Sequence, residues 1–371
     1  MDFGGWSGWW KRNGAKCEPL LALVGIYGVQ FLITRVGVNT VAGLAVQQPI
    51  RDLAAWLFTS WDGEHYLHLA ENFDVYVWPP LYPMALRGIA ALGVSVLASA
   101  VLVNLFAHAA IVWLAYAYVR DNPRLSEVPG WLFASLLLFF PGHNVFFAAY
   151  SESLFLALVL GVSVAYQRER LWLAGLLCGF AVLTRNMGAF LGAALVAVEL
   201  GKMVRDRTFK GLRLASVALW VPFFVGWNVW LIVVASTNPV AEQAYWQQEL
   251  LAQIPAGENA KLWVLRYIAL PPGNHNEFVY FWGLVIAAIY CWRRRMQVEA
   301  VFIVVFLLSF ALYLYRPFPF SRFASTFFPL ALMIADATRK VPALQALVIT
   351  VAVAVSHHYE VMLFSGRFGE P

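Results

Sequence analysis

A succession of apolar runs governs this chain, each close to the length that crosses a bilayer. Candidate helices cover about 19–38, 99–119, 130–148, 150–167, 171–185, 187–201, 213–236, 278–292, 299–315, 321–338 and 342–359. A span needs roughly 20 residues for about 30 Å of hydrocarbon, and Trp and Tyr at the ends extend the shorter runs into the interface. Eleven such runs predict an all-α polytopic membrane protein, one integral-membrane unit over 1–371. The residue usage agrees, with 61% hydrophobic and 13% charged residues, whereas a soluble domain is about 45–50% apolar and 25% charged.

The formal charge of +5 does not point to nucleic acid, because the basic residues sit in short clusters between apolar runs. Lys11, Arg12 and Lys16 precede the first run, which is longer than the apolar part of a signal peptide and is read as an uncleaved helix. Arg120, Arg124, Arg168, Arg170, the Lys202–Arg213 cluster, Arg293–Arg295, Arg339 and Lys340 share one side if 82–98 does not cross. Basic residues in short loops mark the cytoplasmic side. The expected topology therefore has the N-terminus inside and the C-terminus outside. The two long segments, about 39–98 and 237–277, then lie on the outer side, as do Asp62, Glu152, Arg185, His275, Arg316 and Arg322. Cys17, Cys178 and Cys291 show neither metal spacing nor a disulfide pattern.

The first long loop is locally anomalous. Asp62, Glu64, His65, His68, Glu71 and Asp74 fall within a few turns of chain, followed by Trp78-Pro79-Pro80-Leu81-Tyr82-Pro83. Loops held on a rigid scaffold are where binding and catalytic groups tend to sit. Asp62 is the candidate chemical centre, and it can also cap the short helix that follows it. Trp56, Trp61, Tyr66, Trp78 and Tyr82 supply aromatic faces suited to sugar rings and lipid tails, although such belts are also routine at membrane interfaces. Glu64 and His65 are candidate substrate contacts. Asp62 and Glu64 are a weak signal for a divalent metal, and His65 with His68 lacks the third ligand of a zinc site. No cofactor or metal is expected.

Three ionisable residues interrupt apolar sequence elsewhere. Glu152 lies in Tyr150-Ser151-Glu152-Ser153, Arg185 in Thr184-Arg185-Asn186, and Arg322 in Pro319-Phe320-Ser321-Arg322-Phe323. Such residues are costly in a membrane unless they face water or a partner, and they mark functional sites by default. Glu152 and Arg185 can form a structural ion pair, or Arg185 and Arg322 can meet a phosphate, whose oxygens match guanidinium forks. His275, which closes the second loop, is a weaker substrate-binding candidate.

These motifs resemble a known family. Trp61-Asp62-Gly63-x-x-Tyr66, Pro80-Leu81-Tyr82-Pro83, Tyr150-Ser151-Glu152-Ser153-Leu154-Phe155, Ala174-Gly175-Leu176, Thr184-Arg185-Asn186-x-Gly188 and Arg322-Phe323 with Phe328-Pro329-Leu330 occur in order over about 60–330. Together they look like the PIG-V family, GPI mannosyltransferase II and its prokaryotic relatives. The chain is shorter than the eukaryotic enzymes, and it carries Trp78-Pro79-Pro80 where relatives usually have Phe-Phe-Pro.

The resemblance implies a GT-C helical bundle whose first outer loop bears an acidic catalytic residue, here Asp62. It also implies an isoprenoid-phosphate sugar donor, typically dolichyl or polyprenyl phosphate mannose, used with inversion. The partners expected are that lipid-linked donor, a glycan, glycolipid or protein acceptor, and the membrane itself. The setting is the plasma membrane in a prokaryote or the endoplasmic reticulum in a eukaryote, with the site on the outer or lumenal side. A secondary transporter or flippase using Glu152 and Arg185 is a rival reading, and a non-catalytic subunit of a glycosylation complex is another. Oligomeric state is not readable from the sequence.

Overall fold

The computed structural model describes residues 4–43, 62–72, 78–139, 144–237, 275–313 and 320–364, and no strand occurs among them. The chain forms an all-α bundle. Its elements are α1 (Gly4–Gly43), α2 (Asp62–Asn72), α3 (Leu81–Ala90), α4 (Val96–Asp121), α5 (Gly130–Leu138), α6 (Asn144–Phe147), α7 (Glu152–Gln167), α8 (Leu171–Thr184) and α9 (Gly188–Asp206). Next come α10 (Gly211–Val217), running through a 3₁₀ turn into α11 (Val221–Thr237), then α12 (His275–Arg293) and α13 (Gln297–Tyr313). The chain closes with α14 (Phe320–Ala324), α15 (Phe328–Thr338) and α16 (Pro342–Phe364).

Among the described residues three segments are long and apolar enough to cross a membrane: Cys17–Val36, Val96–Asp121 and Gly211–Val233. Several further apolar helices among the described residues, including Glu152–Gln167, Leu171–Thr184 and Phe278–Arg293, are shorter. Length and composition alone therefore do not reproduce the expected eleven spans. The outward faces are apolar as well, with Leu20, Leu21, Phe31 and Leu32 exposed on α1 and Leu105, Phe106 and Trp113 on α4. Apolar surface on this scale suits lipid rather than water.

Two expected continuous spans are interrupted, for a local reason in each case. The run at 130–148 stops after Leu138 and resumes as the single turn α6, and Pro141-Gly142 in the gap disfavours a continuous helix. The run at 321–338 divides into α14 and α15, with Pro329 in the first turn of α15. Proline is tolerated there because the first helical N–H groups have no intrahelical acceptor. The first helix begins at Gly4, well before the expected start at 19. Segment 82–98 is not one helix: α3 has 10 residues, about 15 Å of rise, too short for the hydrocarbon core. An exposed turn follows, and Ser95 caps α4 by accepting from the Ala98 amide at 3.2 Å. Most of the second long segment, 238–274, lies outside the described residues.

The core is a continuous cluster running through α4, α5, α7, α8, α9, α12, α13 and α15, with Phe133, Phe155, Phe327 and Phe328 among its fully buried side chains. A smaller cluster joins Tyr66 and Ala70 of α2 to Tyr82 and Leu86 of α3, and both to Ala149 and Tyr150 ahead of α7. It fastens α2 and α3 onto the bundle.

The bundle has two polar ends. At one, α7 begins and α8 ends. At the other, Glu199 of α9 receives Tyr166 at 2.6 Å, Lys202 at 2.8 Å and Arg213 at 2.9 Å, and Arg168 pairs with Asp121 at 2.6 Å. Helices α7, α9 and α12 end at this second face with Glu169, Arg207 and Arg295 in the left-handed region, at φ 57°, 51° and 59°. The amides of Arg170, Thr208 and Met296 then reach back five residues to the carbonyls of Ala165, Met203 and Cys291. This closure satisfies the terminal carbonyls and reverses the chain tightly.

Candidate active site

Four separate elements bring one charged group each to the first polar end. Asp62 is the first residue of α2, Glu152 opens α7, Arg185 follows α8, and Arg322 lies in α14. Arg322 donates through Nε to Glu152 Oε1 and through Nη2 to Asp62 Oδ2. Arg185 Nη1 lies 2.7 Å from the same Glu152 Oε1 and 3.3 Å from Ser151 Oγ. The Glu152 side chain is fully buried, whereas Asp62 is 16% exposed, Arg322 15% and Arg185 11%. The two carboxylates and two guanidiniums therefore form a balanced cluster that opens towards Asp62. Its second oxygen, Glu152 Oε2, has no hydrogen-bond partner among the described residues, so the buried carboxylate retains an unused acceptor.

Local structure explains how each group arrives. The break at Pro329 frees α14 to carry Arg322 at its own angle, and Ser325 and Thr326 close that turn by donating to the carbonyls of Arg322 and Phe323. The Arg322 guanidinium lies over the Tyr150 ring at 4.7 Å and that of Arg185 over Phe323 at 5.3 Å. Both lie within the roughly 6 Å of a cation–π contact. Arg185 has extended backbone, φ −153°, which ends α8. Gly188 then starts α9 so close to α8 that a Cβ there would collide with the backbone of Ala181 and Val182. Asn186 between them accepts from the Trp227 indole at 3.3 Å.

Helix α2 is keyed to the bundle by Tyr66, one turn after Asp62 on the same face. Its hydroxyl meets Ser151 Oγ at 2.7 Å, and burial pushes the phenol well above its ordinary pKa, so it stays neutral. Tyr82 of α3 donates to Asn104 Oδ1 at 3.2 Å, and Asn104 donates in turn to the Ala148 carbonyl. Both expected contact residues, Tyr66 and Tyr82, have their rings buried in the core. Each is held there by a side-chain hydrogen bond.

The other expected residues lie elsewhere. Glu64 and His65 are exposed, and His65 stacks on Trp78 with centroids 5.9 Å apart. Among the described residues Glu64 forms no ion pair with Arg185 or Arg322. Among the described residues no group of three or more His, Cys, Asp or Glu side chains comes together. His275 begins α12, but its side chain, like Arg316, Trp56 and Trp61, lies outside the described residues.

Asn104 and His108 are residues that sequence reasoning missed. Both are buried in the apolar α4. His108 Nδ1 contacts the Tyr27 hydroxyl at 2.7 Å, and Nε2 contacts the Phe146 carbonyl and Ser153 Oγ, each at 2.9 Å. Ser151, Glu152 and Ser153 are thus each held by a different part of the bundle. The available signal was the i, i+4 spacing of Asn104 and His108, which puts two polar groups on one helix face.

No protein-family model matches the chain, and no curated protein matches it in sequence. Two solved structures are similar to it. The crystal structure of ArnT from Cupriavidus metallidurans in the apo state is 12% identical, with a TM-score of 0.47 over 81% of this chain and 69% of that one. The structure of the same protein bound to undecaprenyl phosphate is 13% identical, with a TM-score of 0.47 over 85% and 75%.

Proposed function

We propose that this protein is a membrane glycosyltransferase of the GT-C type, a prokaryotic relative of the PIG-V family. In this reading it transfers a hexose, mannose by family resemblance, from a polyprenyl- or dolichyl-phosphate donor to an acceptor hydroxyl at the outer membrane face. One observation carries the reading. Asp62, on α2, pairs with Arg322, which together with Arg185 holds the buried Glu152, so that four elements of an apolar helical bundle join in one charge cluster. A carboxylate beside guanidiniums at the end of a lipid-facing bundle suits a reaction that removes a proton and releases a phosphate.

The steps follow from those groups. Asp62 accepts the proton of the acceptor hydroxyl as that oxygen bonds to the anomeric carbon. The bond from that carbon to the phosphate oxygen breaks on the opposite face, with inversion, and its electron pair leaves on the lipid phosphate. Proton removal of this kind contributes typically about 10²–10⁴ in rate. Arg185 and Arg322 stabilise the charge developing on the leaving phosphate, an interaction strengthened where water is excluded. Glu152 holds both arginines in place. The direct test is to reconstitute the purified protein with radiolabelled polyprenyl-phosphate mannose and a membrane extract. Label should move into an acceptor fraction, and no transfer with any extract would remove the proposal.

A further inference from the structure

We infer that Asp62 and the phosphate of a lipid-linked donor compete for the same arm of Arg322, so that phosphate entry is what frees Asp62 for the acceptor. The inference rests on the glycosyltransferase reading above and adds an order of events to it.

The charge count motivates it. Asp62, Glu152, Arg185 and Arg322 balance, and among the described residues no further ionised side chain pairs with any of them. A sugar phosphodiester brings another negative charge, and the lipid monophosphate that leaves carries up to two. An anion entering a balanced cluster meets an unneutralised positive charge when a carboxylate gives up a guanidinium arm, and it is then held more tightly. The two carboxylates are not equivalent here. Glu152 is fully buried and held by both arginines, so exposing it to an anion without them would strand a charge away from water. Among the described residues Asp62 forms its ion pair with Arg322, and it already reaches solvent.

The geometry allows the exchange to stay small. Arg322 keeps its Nε on Glu152 and its plane over Tyr150, and only the Nη2 end changes partner. A planar fork suits this, since one arm can hold a carboxylate while another meets a phosphate oxygen. Asp62, released, is then next to the leaving group's new partner and available to an acceptor hydroxyl.

The competition is tested by the binding of a polyprenyl monophosphate in detergent micelles to wild type, Asp62→Asn, Arg322→Gln and the double variant. Asp62→Asn should bind the lipid phosphate about fivefold more tightly or better, within the usual range for contacting residues. In the Arg322→Gln background the same change should alter affinity by less than about twofold. Equal tightening in both backgrounds would mean that Asp62 acts only as a distant negative charge, and no tightening in either would mean no competition. Either result overturns the inference. If Arg322→Gln does not fold, Arg322→Lys replaces it, because an ammonium lacks the second arm that reaches Asp62 while Glu152 is held. Turnover by Asp62→Asn is scored separately, so failure of the base role and failure of the competition are distinguishable.

Discussion

Asp62 and Glu152 share one guanidinium, Arg322, which reaches the first through Nη2 and the second through Nε. That arrangement ties α2 to the start of α7 and makes Arg322 the pivot of the cluster. It also separates the surroundings of the two acids. Glu152 is out of reach of solvent and paired with both arginines, and Asp62 lies at the partly exposed rim.

Arg185→Gln and Arg322→Gln are each expected to raise the donor KM or lower kcat while the protein remains folded. Glutamine keeps hydrogen-bonding capacity but removes the charge that would meet a phosphate, and in each variant the other arginine remains on Glu152. Steady-state kinetics with a lipid-linked sugar, alongside thermal melts, make the comparison. Wild-type kinetics in both variants would confine these arginines to a structural role.

Glu152→Ala should be the more damaging change for stability. It leaves two largely buried arginines without their shared acceptor, and breaking a buried pair from one side costs about 3–5 kcal/mol. A substantially lower melting temperature in detergent is expected. A melting curve within a degree or so of wild type would mean that the cluster relaxes into solvent at little cost, and that Glu152 does not organise it.

Much of this cluster was legible in the sequence, because a charge inside an apolar run stands out. Glu152, Arg185 and Arg322 each did so, and Asp62 lay in an unusually polar loop. Pairing was less legible, since nothing local relates Arg322 to Asp62 across most of the chain. Pro141-Gly142 and Pro329 were submerged in hydrophobic runs, so two stretches read as continuous helices. Asn104 and His108 went unread because neutral polar groups scarcely lower the apolarity of a long helix. The burial of Tyr66 and Tyr82 was not legible, because an aromatic residue in a polar loop suits a ligand face and a core equally well.

Cysteines introduced at Leu92 and Phe209 test the sidedness. Both positions are 82% exposed, and they lie at opposite polar ends, Leu92 ahead of α4 and Phe209 after α9. The charge distribution predicts that Leu92→Cys reacts with an impermeant thiol reagent from outside in intact cells and that Phe209→Cys reacts only after permeabilisation. Reaction of both from one side, or the reverse pattern, contradicts the topology.

The central claim is that Asp62 takes the acceptor's proton, and the most direct measurement is turnover by Asp62→Asn with donor binding followed on the same preparation. Asparagine caps a helix about as well as aspartate and still accepts a hydrogen bond from Arg322, so folding and donor binding should persist. Turnover should fall by about 10²–10⁴, whereas Glu64→Gln, altered at an exposed position, should retain at least about a tenth of it. Transfer by Asp62→Asn within about tenfold of wild type would contradict the account. So would an equal collapse of both variants with sensitivity to a chelator, which would point to a metal bridging the two carboxylates.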